Sequence, residues 1–193
     1  NQPCFTPDSK SILFSSQRDS QQTDIYRYDI AGKATVRITS TAESEYSPTL
    51  TPDGRSFSTV RVEKDSVQRL WKFPLTGGEP QLIMGHVDSV GYHAWVDDTT
   101  LALFILTQPF SLQIGNTRSG SIRTEAGNIG RCLQRISENR VLGYVDKSDS
   151  TRWMVHILMM NIGENVALLR TLPGSEDFAC SADGTLFTGS EGK

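Results

Sequence analysis

Glu43 and Glu45 share one short polar stretch, and two carboxylates so placed could in principle act as acid and base at a glycosidic bond. Nothing in the surrounding sequence raises either pKa, so no catalytic pair is assigned. His86, Asp88 and His93 fall close together, as metal ligands do. On an extended chain His86 and Asp88 project to one side, while His93 is out of phase with His86, and His156 belongs to a different segment. Without a His-Glu-x-x-His frame these residues do not predict a metal site. The sequence lacks the Gly-x-Ser-x-Gly elbow of a hydrolase and both phosphate-cradling glycine patterns, so it offers no nucleophile and no cofactor loop. The chain reads as non-catalytic, with no cofactor and no metal. What remains is binding chemistry.

The elements that must position any binding residue are legible as a repeat. Leu50-Thr51-Pro52-Asp53-Gly54 ends one apolar run and starts another. Proline presets φ for the first corner of a turn, and Asp-Gly fills the positions that need a local acceptor and a positive φ. Phe5-Thr6-Pro7-Asp8-Ser9, Trp95-Val96-Asp97-Asp98-Thr99 and Cys180-Ser181-Ala182-Asp183-Gly184 are copies, and Ile136-Ser137-Glu138-Asn139-Arg140 is the weakest one. Anchored on Asp8, Asp53, Asp98, Asn139 and Asp183, the spacings are 45, 45, 41 and 44 residues. A glycine follows each of the first four anchors by 22 to 25 residues, at Gly32, Gly78, Gly120 and Gly163.

Each copy holds four short runs with the alternation of half-buried strands, such as Asp24 to Asp29 and Arg69 to Phe73. The second run is instead apolar on successive residues, clearest at Leu101 to Ile105, which suits a strand covered on both faces. No segment keeps a helical period for ten residues. Four antiparallel strands every 40 to 45 residues predict an all-β fold, a β-propeller of four-stranded blades. We expect one domain over 1–193, with blades near 1–40, 41–84, 85–126 and 127–172 and a partial blade over 173–193. That makes about four and a half blades. Because Asn1-Gln2-Pro3-Cys4 leads straight into a first strand, the N-terminus does not offer the strands the last blade lacks. The expectation is a portion of a ring of six or more blades, with the mature start processed or lying upstream.

Composition limits the partner. A net charge of −3 and a pI near 5.6 give no support for a nucleic-acid surface. The longest apolar run, Leu101 to Leu106, is far short of a membrane span. Three cysteines, none in a Cys-x-x-Cys pair, read as buried free thiols at Cys4, Cys132 and Cys180. Trp71, Trp95 and Trp153 read as blade core.

Phe-Thr-Pro-Asp-Ser, Leu-Thr-Pro-Asp-Gly and the following Asp24-Ile25-Tyr26-Arg27-Tyr28-Asp29-Ile30-Ala31-Gly32 resemble the Trp-Ser-Pro-Asp-Gly repeat of TolB-like propellers. The resemblance spans nearly the whole chain and is specific for fold. It implies a periplasmic or extracellular location, and it implies that loops joining strands two and three, and those joining blades, share one face. Those loops hold Arg18, Asp19, Glu43, Glu45, Glu63, Lys64, Asp65, Asp88, Asp146, Lys147, Asp149, Arg152, Glu176 and Asp177. Ten of the fourteen are acidic, so the expectation is an acidic rim that docks a basic protein or peptide. The plainer reading is that solvated loop tips are simply charged. Candidate partner-binding residues are Glu43, Glu45, Tyr46, Asp88, Tyr92, Glu176 and Asp177. Two alternatives stand beside this one. The chain could be the gating propeller of a prolyl-oligopeptidase-type serine peptidase whose catalytic domain lies outside these residues. It could also bind a small ligand or carbohydrate, for which Tyr46 and Tyr92 are the aromatic candidates.

Overall fold

Eighteen strands account for the regular structure, and among the described residues there is no helix. The computed structural model describes residues 3–18, 21–137, 139–181 and 183–189; Asp19, Glu138 and Ala182 lie outside the described residues. Blade one is β1 (Cys4–Phe5), β2 (Ser11–Ser16), β3 (Asp24–Asp29) and β4 (Ala34–Arg37). Blade two is β5 (Ser44–Leu50), β6 (Ser56–Val62), β7 (Gln68–Pro74) and β8 (Gln81–Ile83). Blade three is β9 (Val90–Trp95), β10 (Thr100–Ile105), β11 (Ser111–Asn116) and β12 (Ile122–Gly127). Blade four is β13 (Ile129–Ser137), β14 (Val141–Asp146), β15 (Met154–Met159) and β16 (Glu164–Arg170). The hairpin β17 (Phe178–Cys180) and β18 (Leu186–Thr188) begins a fifth. Each sheet is hydrogen-bonded in chain order, the blade architecture of a β-propeller.

The chain divides into two compact units, residues 1–90 and 91–193. In the first, Leu13, Ile25, Phe57 and Phe73 pack between blades one and two, with the Phe57 and Phe73 rings stacked 5.5 Å apart. Each such ring contributes roughly 1.5–3 kcal/mol by leaving water. In the second, Ala102, Phe104, Leu112, Leu142, Tyr144 and Leu158 join blades three and four. Cys132, Val145, Val155 and Phe178 join blade four to the terminal hairpin. All six residues of β10 are buried, as its unbroken apolar run implies.

The repeated turn is built from a side-chain relay. Thr51 Oγ1 donates to Asp53 Oδ1 (2.6 Å) and accepts the Ser56 N–H (3.2 Å), and Asp53 Oδ1 accepts the Arg55 N–H (3.0 Å). Thr6 and Asp8 repeat this with Ser11 and Lys10, and Asp183 accepts from Thr185 in the last copy. Thr51→Val is therefore expected to cost about 1–3 kcal/mol in denaturant unfolding, because the half-buried Ser56 N–H loses its acceptor. The Thr51 hydrogen bond also holds the Asp53 carboxyl below its ordinary value of 3.8. A lowered folded value means stability present above 3.8 and lost as pH falls through the lowered one. The deficit of Asp53→Asn should accordingly close on acidification. A deficit that is constant with pH would sink this account.

Three local details differ from the sequence reading. In the third copy the accepting carboxylate is Asp97, not the anchor Asp98. The closing bond from the Val96 N–H spans four residues to Thr100, against five from Thr51 to Ser56, so the earlier side chain meets the Thr99 and Thr100 N–H groups (2.9 and 2.8 Å). In the first glycine turn the left-handed residue is Lys33 (φ 51°), while the Gly32 N–H donates to Asp29 Oδ1, so that a Cβ on Gly32 would meet that carboxylate. In the fourth copy the left-handed position held elsewhere by Gly54, Gly184 or Ser9 is taken by Arg140 (φ 59°). The cysteines lie on first strands as free thiols; Cys132 is buried and the other two are half-buried, with burial pushing the Cys4 thiol up to about 11.

Candidate partner-binding surfaces

Two charged constellations are built on these blades, one in each unit. The second unit carries the exposed one. Asn128, left-handed at φ 53°, precedes β13 and exchanges hydrogen bonds with the backbone of Lys147: its Nδ2 donates to the Lys147 carbonyl, and the Lys147 N–H donates to its carbonyl, both at 2.8 Å. Asparagine tolerates that conformation, and the double bond pins the loop after β14 to the start of β13. Lys147 Nζ then reaches Glu176 Oε1 and lies 4.2 Å over the Trp153 ring. Glu176 Oε2 accepts the Arg131 N–H (3.2 Å), and the Arg131 guanidinium pairs with Asp177 (2.9 Å). The Asp177 hydrogen bond raises the Arg131 pKa, with smaller contributions from Tyr92 and Glu176.

Two expected residues, Glu176 and Asp177, are thus brought together at Arg131, while the ring of a third, Tyr92, packs edge-on against Phe104 at 5.9 Å. The Arg131 and Asp177 side chains remain 53 % and 66 % exposed, so the pair is held in place yet open to an incoming chain. Arg131 was not among the sequence candidates. Its signal is a lone cation inside Ile129-Gly130-Arg131-Cys132-Leu133, where the flanking residues are buried and Arg131 is exposed. Trp153, read as blade core, is half-buried and serves as the platform for Lys147.

The first unit carries the buried constellation, and here the loop reading of Glu45 is corrected. Glu45 is the second residue of β5, is fully buried, and stands directly opposite Arg61 of β6. β5 begins two residues before the apolar run that marks it in sequence. Glu45 Oε1 pairs with Arg61 Nε at 3.1 Å and also accepts from Thr41, while Oε2 accepts from Thr39 Oγ1 (3.0 Å). Burial raises the Glu45 pKa, against the Thr41 and Thr39 hydrogen bonds and the Arg61 charge. Arg61 stacks 4.2 Å over Trp71, whose Nε1 donates to Glu63 (2.9 Å). Arg37 pairs with buried Asp24 at 2.7 Å.

Glu43 is half-buried beside this network and exchanges hydrogen bonds with the Thr41 hydroxyl through its backbone. Tyr46 and Tyr92 are half-buried residues of the first strands β5 and β9. Asp88 is exposed and accepts from the Ser89 hydroxyl. Among the described residues no group of three His, Cys, Asp or Glu side chains converges as metal ligands. His93 is fully enclosed, and burial pushes its pKa down to about 3, which keeps it neutral. Among the described residues no helix is long and apolar enough to cross a membrane.

The fold is shared with several solved propellers. TolB from Acinetobacter baumannii matches with a TM-score of 0.65 and 16 % identity over 87 % of this chain and 43 % of its own. An oligogalacturonate lyase in complex with manganese matches at 0.69 and 15 % over 94 % and 56 %. A puromycin hydrolase matches at 0.65 and 15 % over 96 % and 32 %. The chain therefore spans between a third and just over half of the length of these proteins. No family model matches the sequence, and no curated protein matches it. These identities speak for architecture alone: the likeness of the repeats to TolB-like propellers extends to the fold, which TolB, a lyase and a hydrolase share.

Proposed function

We propose that this chain is a non-catalytic binding module that docks a basic protein or peptide segment on the surface formed by Tyr92, Arg131, Lys147, Glu176 and Asp177. The observation that carries the reading is the exposed Arg131–Asp177 pair, fixed from behind by Glu176 and Lys147. Such a surface is ordered before its partner arrives, so docking costs little side-chain freedom. A cation of the partner competes with Arg131 for Asp177, and Tyr92 supplies an aromatic edge. Location outside the bacterial cytoplasm, periplasmic or at the cell surface, is part of this proposal and rests on the TolB-like repeats.

The test is selection of a displayed random-peptide library on the immobilised chain. Enrichment of Lys- or Arg-containing peptides is expected, with affinity falling about tenfold in Asp177→Lys, a change of about 1.4 kcal/mol. Enrichment of no sequence, or of peptides that bind Asp177→Lys equally well, would overturn the reading. The likeness to puromycin hydrolase favours a second reading, in which the blades gate a serine peptidase domain outside these residues. A Gly-x-Ser-x-Gly elbow in the extended reading frame of the native protein would establish it.

A further inference from the structure

A cavity of about 230 Å³ opens within the second unit, between blades three and four, on the side of the repeated turns. Its polar lining includes Arg123, Arg140 and the buried Thr100, and its apolar lining is Ile114, Ile122 and Met160. Among the described residues no carboxylate lines it. The two guanidiniums are steadied from outside the cavity: Arg140 Nε pairs with Asp97 at 2.7 Å, and Arg123 Nη1 pairs with Glu125. Arg140 Nη2 donates to Thr100 Oγ1 (3.2 Å), which leaves its Nη1 edge without a partner among the described residues.

The backbone at this position adds a second, independent observation. Arg140 occupies the left-handed corner that Gly54 and Gly184 fill in other copies of the turn. A bulky residue there is strained, and such strain persists where the side chain has a use. Arg140 is the one departure from Gly or Ser among these four left-handed corners, and it brings blade four's cation to the cavity wall opposite Arg123 of blade three.

We propose that this cavity binds a small organic carboxylate. The two arginines would take the anionic head, and Ile114, Ile122 and Met160 would cover a short aliphatic body. The volume lies below the roughly 300–1,000 Å³ of pockets for drug-sized ligands, so the occupant is a smaller molecule. Guanidinium forks suit a planar carboxylate, and an apolar floor disfavours a fully hydrated inorganic ion. This site is independent of the surface around Arg131.

Pentanoate is the probe, with pentanamide as its neutral counterpart and inorganic phosphate as the anion without an apolar body. In backbone amide NMR titrations of the 193-residue chain, pentanoate should shift Thr100, Ser121 and Met160 saturably, at least tenfold more tightly than either control. Arg140→Gly restores the residue that the turn prefers, so the fold should hold in a thermal melt while pentanoate affinity falls at least tenfold. Arg123→Gln, an exposed position, should weaken binding without changing the melt. The proposal is overturned by the absence of saturable shifts, by phosphate binding as tightly as pentanoate, or by unchanged affinity in both variants.

Discussion

Arg61→Met is expected to lose about 3–5 kcal/mol of unfolding free energy at neutral pH, the cost of stranding a buried carboxylate without its counter-ion. Arg61 is 5 % exposed and its partner Glu45 is completely enclosed. Methionine still covers the Trp71 face that the guanidinium now covers at 4.2 Å, so the loss of volume is small and the charge carries the effect. Thr39 and Thr41 can still hydrogen-bond the carboxylate, but they bring no positive charge, and nearby Asp24 acts against ionisation.

The same variant has a signature in pH. Burial already holds Glu45 above its ordinary 4.5, and Arg61 is one of the influences that pull it back. Without Arg61 the folded value climbs further. A carboxyl whose folded value exceeds its unfolded value binds more protons when folded, so stability increases as pH falls through that window. The difference between Arg61→Met and the parent should therefore shrink steadily on going from pH 7 to 4.5. Glu45→Gln combined with Arg61→Met should recover most of the loss at pH 7, since the pair is then replaced by neutral groups. Denaturant unfolding followed by tryptophan fluorescence reads all three. A loss that is equal at both pH values would mean that lost packing, not the stranded charge, is responsible.

This pair also shows where sequence reasoning stops. The turn at Thr51, Pro52, Asp53 and Gly54 is legible because every contact that makes it lies within five residues. The strands are legible because burial imposes a period of two, or none where both faces are covered, as at Leu101 to Ile105. The TolB-like resemblance assigns Glu45 to a loop joining two blades, because the strand signal in the sequence starts at Tyr46. The burial of Glu45 depends on Arg61, sixteen residues on, and that pairing follows from a register that the residues flanking Glu45 do not encode. Repeat spacing points to Asp98, and a turn shortened by one residue hands the accepting role to Asp97. At the exposed surface, Glu176 and Asp177 were recognised as charged, while Arg131, 46 residues from Asp177, became their partner only once β17 was laid against β13.

That docking of the terminal hairpin can be broken from either side, and the two changes should not add. Gly143 lies inside β14, where a Cβ would stand 2.9 Å from Phe178 Cζ and 3.1 Å from Ile136 Cδ1. Gly143→Ala is expected to cost about 1–3 kcal/mol through overpacking. Phe178→Ala empties the cluster shared with Cys132, Val145 and Val155 and is expected to cost about 3–5 kcal/mol. In the double variant the alanine methyl enters space that the ring has vacated, so the combined loss should fall short of the sum by about 0.5–3 kcal/mol. The consequence reaches the binding surface, because Glu176 and Asp177 immediately precede Phe178, and the Cys132 thiol donates to the Phe178 carbonyl at 3.2 Å. With the ring gone, Asp177 is no longer held against Arg131, and peptide affinity should fall in Phe178→Ala at least as far as in Asp177→Lys. Strict additivity of the two stability losses would show that β17 does not rest on Gly143. Full peptide affinity in folded Phe178→Ala would show that the hairpin is not what orders Asp177.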